Sequence, residues 1–150
     1  MVSVSANTTS GKCCVSIFIN LFDKHEQVCP CDAIVKSITR VEGSALPAFL
    51  DASKKNAYVE TIFLLLDSLL PESDLNVRQI KVRQMVGFFV RRIINDLKPD
   101  QKVVAKENLG RIIFGSRCEI EFDTSIFKLS ENIRPGKRVN AGDDTIATRI

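Results

Sequence analysis

The chain reads as an all-α protein, a single compact domain of five to seven helices, and three observations predict this. Apolar residues recur at helical spacing along Leu75–Leu97. From Val59 to Leu70 the chain is apolar nearly all round, which marks a buried helix at 57–70. Proline, glycine and asparagine fall at the ends of these patterns, where helices start and stop.

Taken in order, Cys14–Phe22 (CVSIFINLF) is apolar at most positions and fits a short helix or a strand. Pro30, followed by Cys31 and Asp32, marks a helix start, and DAIVKSIT then sets Ile34, Val35 and Ile38 on one face. Gly43-Ser44 ends that helix. Ser44 can cap the next, ALPAFLDASKK, whose Leu46, Phe49 and Leu50 are helically spaced, with Pro47 in its tolerant first turn. Asn56 caps the buried helix over 57–70, and Pro71 closes it. Along Leu75–Leu97, a stripe runs through Leu75, Val82, Met85, Val86, Phe89, Ile93 and Leu97, with Lys81, Arg91 and Arg92 opposite or flanking it. Pro99 breaks the pattern. One more helix spans Asp100–Gly115, and CEIEFDTSIF alternates as a strand or an extended cover segment would. Residues 1–11 read as a flexible arm and residues 130–150 as a flexible tail around a helical domain at 12–129. The tail has too few large apolar groups to offset the entropy of ordering it.

Composition bounds the function. At 150 residues the chain can bury a real core, and 45% hydrophobic with 26% charged residues is ordinary for a globular protein. A net charge of +3 is too mild to imply nucleic acid, and one Tyr with no Trp leaves few stacking platforms. The opening MVSVSANTTSG is polar, so no signal peptide is expected and the Asn7-Thr8-Thr9 sequon carries little weight. The longest apolar run, Ile62–Leu66, is far short of a membrane span. Five cysteines without a secretory signal read as free thiols in a cytoplasmic protein.

Cys13, Cys14, His25, Cys29 and Cys31 are the one cluster with metal-ligand chemistry. Their spacing, a tandem C-C and then H-x3-C-x-C, matches no standard zinc knuckle. Small buried thiols beside a surface histidine are the preferred reading, with no metal and no cofactor expected. A Cys–His nucleophile lacks an orienting third group. Asp143-Asp144 lie in the tail, where nothing would shift their titration. The L-x-x-L-L pattern at Leu66–Leu70 sits in an apolar helix and reads as core. Arg78, Lys81, Arg83, Arg91 and Arg92 spread around their helix as a solvated face, or one that meets an acidic protein.

Three stretches carry a resemblance. Arg40 stands in SITRVEGSALPAFLD, ahead of a Gly-Ser turn; LLDSLLPESDLNVRQIKVRQMVGFFVRRII has a Leu-Pro and then an Asn opening a long apolar-striped segment; VVAKENLGRIIFGSR has Asn-Leu, an apolar pair and Phe-Gly. Together, over residues 33–54 and 65–117, they resemble Rho-family GTPase-activating domains, whose fold is all-α. The resemblance implies that Arg40 is an arginine finger on an exposed loop. Such a finger neutralises charge that builds on the phosphate oxygens as a small GTPase hydrolyses GTP. It also implies that Asn108 contacts a switch segment; Lys81, Arg91 and Arg92, on the basic face of the 75–97 helix, are further partner-binding residues by their charge alone. The alternative is a small helical adaptor or inhibitor that binds a protein partner without catalysis.

Overall fold

The computed structural model describes all residues except 1–3, 21, 24, 45–55, 67–74, 76, 88–91 and 113–115, and the side chains of 4–9. It overturns the all-α expectation: no helix occurs among the described residues. Instead the described residues form twelve strands: β1 (Val4–Thr9), β2 (Lys12–Ile19), β3 (Glu26–Val28), β4 (Ala33–Val41), β5 (Tyr58–Leu65), β6 (Gln79–Met85), β7 (Ile93–Asn95), β8 (Lys102–Val103), β9 (Asn108–Ile112), β10 (Ser116–Asp123), β11 (Phe127–Leu129) and β12 (Ala147–Arg149).

They form an antiparallel seven-stranded sheet in the order β1-β2-β10-β6-β5-β4-β8, a three-stranded sheet β3-β9-β7, and the pair β11-β12. The segments read as loose ends carry β1 and β12, and Ile133 and Val139 of the tail are buried. The segment expected as a helix at 45–55 and most of the L-x-x-L-L pattern lie outside the described residues.

Burial shows why the helical reading fails. Along β5 it alternates strictly, with Val59, Thr61, Phe63 and Leu65 inside and Tyr58, Glu60, Ile62 and Leu64 half-buried. A strand in the middle of a sheet, covered to some degree on both faces, is apolar on both and mimics a buried helix in sequence. In β6, Ile80 and Val82 point inward while Lys81 and Arg83 point outward, a period of two that the longer helical stripe obscures. β4 holds five β-branched residues among its nine (Ile34, Val35, Ile38, Thr39 and Val41), and these pack better on a pleated surface than in a helix.

Register divides the large sheet into two faces. Ser116, Cys118, Ile120 and Phe122 of β10 lie opposite Ile19, Ile17, Val15 and Cys13 of β2, and this face builds the main core. The other face carries a ladder of opposite charges. Arg83 Nε donates to Glu60 at 2.6 Å and its Nη1 lies 3.6 Å from Glu119; Lys81 pairs with Glu121 at 3.5 Å and Lys12 with Asp123 at 3.1 Å. Such cross-strand pairs contribute about 0.2–1 kcal/mol each.

The small sheet joins the large one through a polar network. Gln84 Nε2 donates to Gln27 Oε1 at 2.9 Å, and Asn95 Nδ2 donates to Thr61 Oγ1 at 2.8 Å and to Gln84 Oε1 at 3.1 Å. Gln27, Thr61 and Gln84 are all buried, so the network resists separation of the sheets.

Backbones approach closely where β9 passes β7. A Cβ on Gly110 would sit 2.0 Å from the Ile94 carbonyl oxygen, inside any permitted contact. Gly110→Ala is expected to destabilise the protein by about 1–3 kcal/mol, the usual effect of overpacking. A urea-unfolding midpoint equal to that of the parent would show that β9 and β7 do not pack as described.

Candidate functional site

The site is built where one end of β10 meets two other elements. Ser116, the first residue of β10, lies opposite Ile19, the last of β2. From Ile19 the chain passes through the Asn20–Asp23 turn, where Asp23 N donates to Asn20 O and Asp23 Oδ2 accepts from Asn20 N at 3.0 Å. It then reaches His25, whose carbonyl accepts from Ile112 N at 3.1 Å and from Gln27 Nε2 at 2.6 Å. Ile19 is therefore tied to Ser116 and His25 to Ile112, the described residues of β10 and β9 on either side of 113–115.

Ser116 is the anomaly in this arrangement. It is 1% exposed, and its Oγ has no hydrogen-bond partner among the described residues. Leaving a buried hydroxyl unsatisfied costs about 1–3 kcal/mol, so the fold does not retain Ser116 for its own stability. Its neighbour Arg117 points to the opposite face and is also buried. Arg117 Nε lies 3.2 Å from Glu119, Nη2 3.3 Å from the Met85 sulfur, and the guanidinium 5.9 Å from the centre of the Phe18 ring. These contacts pin the strand at the residue after Ser116.

The thiols are divided by geometry. Cys13 and Cys14 are consecutive on β2 and so face opposite sides of the sheet, which prevents them from gripping one ion together. Burial, with Glu119 and Glu121 adding to it, pushes the Cys14 thiol up to about 11; burial and Glu107 push Cys29 to about 11. Burial, with Asp32, pushes Cys31 to about 12, and burial, with Glu119, does the same for Cys118. All four stay protonated at neutral pH, the opposite of what a nucleophile or a metal ligand needs. No three His, Cys, Asp or Glu side chains converge as a metal-binding group among the described residues.

The residues singled out in sequence are scattered. Arg40, expected on an exposed loop, lies within β4 opposite Val59, and its Nη1 donates to the Ile93 carbonyl at 3.4 Å. Asn108 begins β9, in the other sheet, and donates to Asp96 Oδ2 at 2.6 Å. Lys81 belongs to the charge ladder, Arg92 is exposed just before β7, and Arg91 lies outside the described residues. Ser116 carried no role in sequence. Its only signal is the Gly115-Ser116 step at the start of an alternating apolar segment.

Comparison with known proteins gives these observations a context. Residues 2–147 match the family model described as phosphatidylserine decarboxylase. A protein of Methanococcoides burtonii, provisionally named an archaetidylserine decarboxylase proenzyme, is 30% identical over 139 residues, covering 90% of this chain and 59% of that one. The phosphatidylserine decarboxylase proenzyme of Solibacter usitatus is 27% identical over 147 residues, 98% of this chain and 66% of its own length. That of Neorickettsia sennetsu is 30% identical over 134 residues, 89% of this chain and 54% of its own length. The chain thus spans between half and two thirds of the length of these relatives. No solved structure matches it. These matches overturn both the GTPase-activating reading and the helical adaptor alternative. The three motif echoes behind the former fall on strands and turns, or outside the described residues, not on a helical bundle. The chain belongs to the phosphatidylserine decarboxylase family.

Proposed function

We propose that the protein removes the carboxylate of a serine phospholipid headgroup as CO2, and that Ser116 is the residue at which the chain matures for this work. The observation that carries the reading is the buried Ser116 hydroxyl at the tip of β10, which has no hydrogen-bond partner among the described residues.

The chemistry sets the requirement. Losing CO2 from an amino acid leaves an electron pair on the α-carbon, and an electrophilic carbonyl that captures the amine is one way to accept it. The relatives are named proenzymes, which implies covalent maturation. A serine preceded by glycine can supply such a carbonyl from the chain itself. The Ser116 hydroxyl adds to the Gly115 carbonyl carbon and the peptide nitrogen leaves, so an ester replaces the amide. Loss of the Ser116 α-proton then expels the Gly115 carboxylate and leaves a carbon–carbon double bond. Water converts the resulting enamine to a ketone and releases ammonia. The ketone, a pyruvoyl group at the new N-terminus, would supply the electron sink.

The residues present fit this role. The Ser116 hydroxyl makes no hydrogen bond among the described residues that would have to be broken before it attacks. Pairing of β10 with both β2 and β6 would hold residues 116–123 in the sheet after the backbone is cut. Burial excludes water and favours a step that discharges a carboxylate as neutral CO2. His25, tied through its backbone to Ile112 and Gln27, brings an imidazole, the side chain best suited to move a proton at neutral pH.

Ser116→Ala is expected to abolish CO2 release from phosphatidylserine and archaetidylserine, measured with carboxyl-labelled lipid. Its unfolding midpoint should be unchanged or higher, because an unsatisfied hydroxyl is removed. Full activity in this variant would refute the assignment, and a large loss of stability would make Ser116 a structural residue. His25→Gln should slow maturation or turnover by about 100-fold or more, the scale of general acid–base catalysis, while leaving the unfolding midpoint near that of the parent. Parent-like rates for both steps would remove His25 from the site.

A further inference from the structure

One large apolar side chain stands almost wholly in water. Phe22 is 96% exposed, more than any other large hydrophobic residue among those described. It is the third residue of the Asn20–Asp23 turn, which the Asp23 N to Asn20 O hydrogen bond closes at 3.1 Å. The tail braces the same turn. Arg138 Nη2 reaches Asp23 Oδ1 at 3.2 Å, and the Asp23 side chain is only 8% exposed. A fixed backbone thus holds the ring out in solvent, where its apolar area gains nothing for the fold. A second tip lies beside it. Phe22, Ala105 and Lys106 line one hollow, so the Asn20–Asp23 and Val104–Glu107 turns are neighbours. Val104 is 57% exposed. Carboxylates close both turns: Asp23 accepts from Asn20 N, Glu107 Oε2 from Val104 N at 3.0 Å, and Asp32 Oδ1 from Ala105 N at 2.8 Å. Besides Asn20, the exposed described residues of the two turns are Phe22, Val104, Ala105 and Lys106. Register sets these tips at the reacting end of the large sheet, because Ile19, directly before the first turn, is the cross-strand partner of Ser116. Ile150, 77% exposed, is at the other end: its N donates to Ile126 O, beyond the last residue of β10.

We propose that the Asn20–Asp23 turn docks the protein on a lipid bilayer, with Phe22 inserted below the headgroups and Val104 at the interface. The choice of a bilayer rests on the decarboxylase reading, because the substrate of that reaction resides in one and the site has to be brought to it. A protein partner fits the geometry less well. A standard interface covers about 800 Å² on each side, whereas a single ring projecting from a narrow turn offers depth and little area. Insertion into a bilayer needs only depth, and its strength follows the apolar area taken out of water. Charge has little part in it. Asp32 and Glu107 near the tips offset Lys102 and Lys106, so attraction to anionic lipid is weak and burial of the ring supplies the binding. The Arg138–Asp23 pair keeps the tip from folding back, which ties the docking element to the tail of the chain.

The sequence has no Trp, so Phe22→Trp gives the protein a single indole at the tip. Its emission is followed as vesicles of phosphatidylcholine alone are added, so that neither turnover nor a serine headgroup enters the readout. A saturable blue shift is expected, with quenching by brominated acyl chains. Ile150→Trp, at the far end of the sheet, should show neither. The parent protein and Phe22→Ser are then compared by vesicle flotation, where the substitution should weaken binding by roughly tenfold or more, the worth of one buried ring. Raising salt from about 0.1 to 1 M, which shortens the screening length from about 10 to 3 Å, should leave the parent bound. Emission that vesicles do not change would overturn the proposal and leave the ring to a protein partner. An equal shift from Ile150→Trp, unchanged flotation of Phe22→Ser, or binding that requires anionic lipid or low salt would overturn it as well. Failure of the parent protein to release CO2 from phosphatidylserine would instead remove the decarboxylase reading and leave the docking turn standing.

Discussion

The structure depends on the antiparallel pairing of β10 with two neighbours at once. From Ser116 to Asp123 it lies opposite β2, and from Arg117 to Glu121 it also lies opposite β6. That double ladder satisfies the strand's backbone and fixes the face on which each side chain emerges, because a slip of one residue would exchange the two faces. Such a slip would set Arg117, Glu119 and Glu121 into the core and bring Ser116 and Cys118 out among the charges. Burial of Ser116 is therefore enforced by the pairing of the whole strand. A strand held on both sides is also the place where a backbone can be cut without losing the fold.

The second support is the buried amide network that links the small sheet to the large one. Gln84 lies on β6 directly opposite Cys118 of β10, and its side chain meets Gln27 of β3 and Asn95 of β7. Gln27 in turn donates to the carbonyl of His25. A chain of hydrogen bonds therefore runs from the large sheet beside β10 to the backbone of His25, whose carbonyl also accepts from Ile112 N. This gives the region a rigid frame on elements far apart in sequence, as precise placement of reacting groups requires.

The sequence made parts of this legible and hid others for identifiable reasons. The alternation in CEIEFDTSIF is visible and fits a strand or an extended cover segment; residues 118–123 of it are β10. The same alternation in Ile80–Arg83 is hidden, because Leu75, Val82, Met85, Val86, Phe89, Ile93 and Leu97 fit one helical stripe although Val82 and Met85 belong to β6 and Ile93 to β7, with Phe89 outside the described residues. β5 was misread because Ile62 and Leu64 lie half-buried on its second face, which erased the polar half of the pattern. Pro30, Gly43 and Pro99 fit helix ends but lie between strands, since both structures stop at the same residue types. Ser116 could not be found by pattern. Its signal is a fully buried hydroxyl with no partner among the described residues, a property of three-dimensional surroundings that no composition or spacing records.

The central claim is that Ser116 is where this chain breaks and gains a carbonyl. The most direct measurement is the intact mass of the purified protein, with and without prior treatment by a hydrazine that tags ketones. The account predicts two chains, one ending at Gly115 and one beginning at position 116, with the tag on the N-terminus of the second. A single untagged chain continuous from Phe114 through Arg117, with the Ser116 side chain intact, would contradict it.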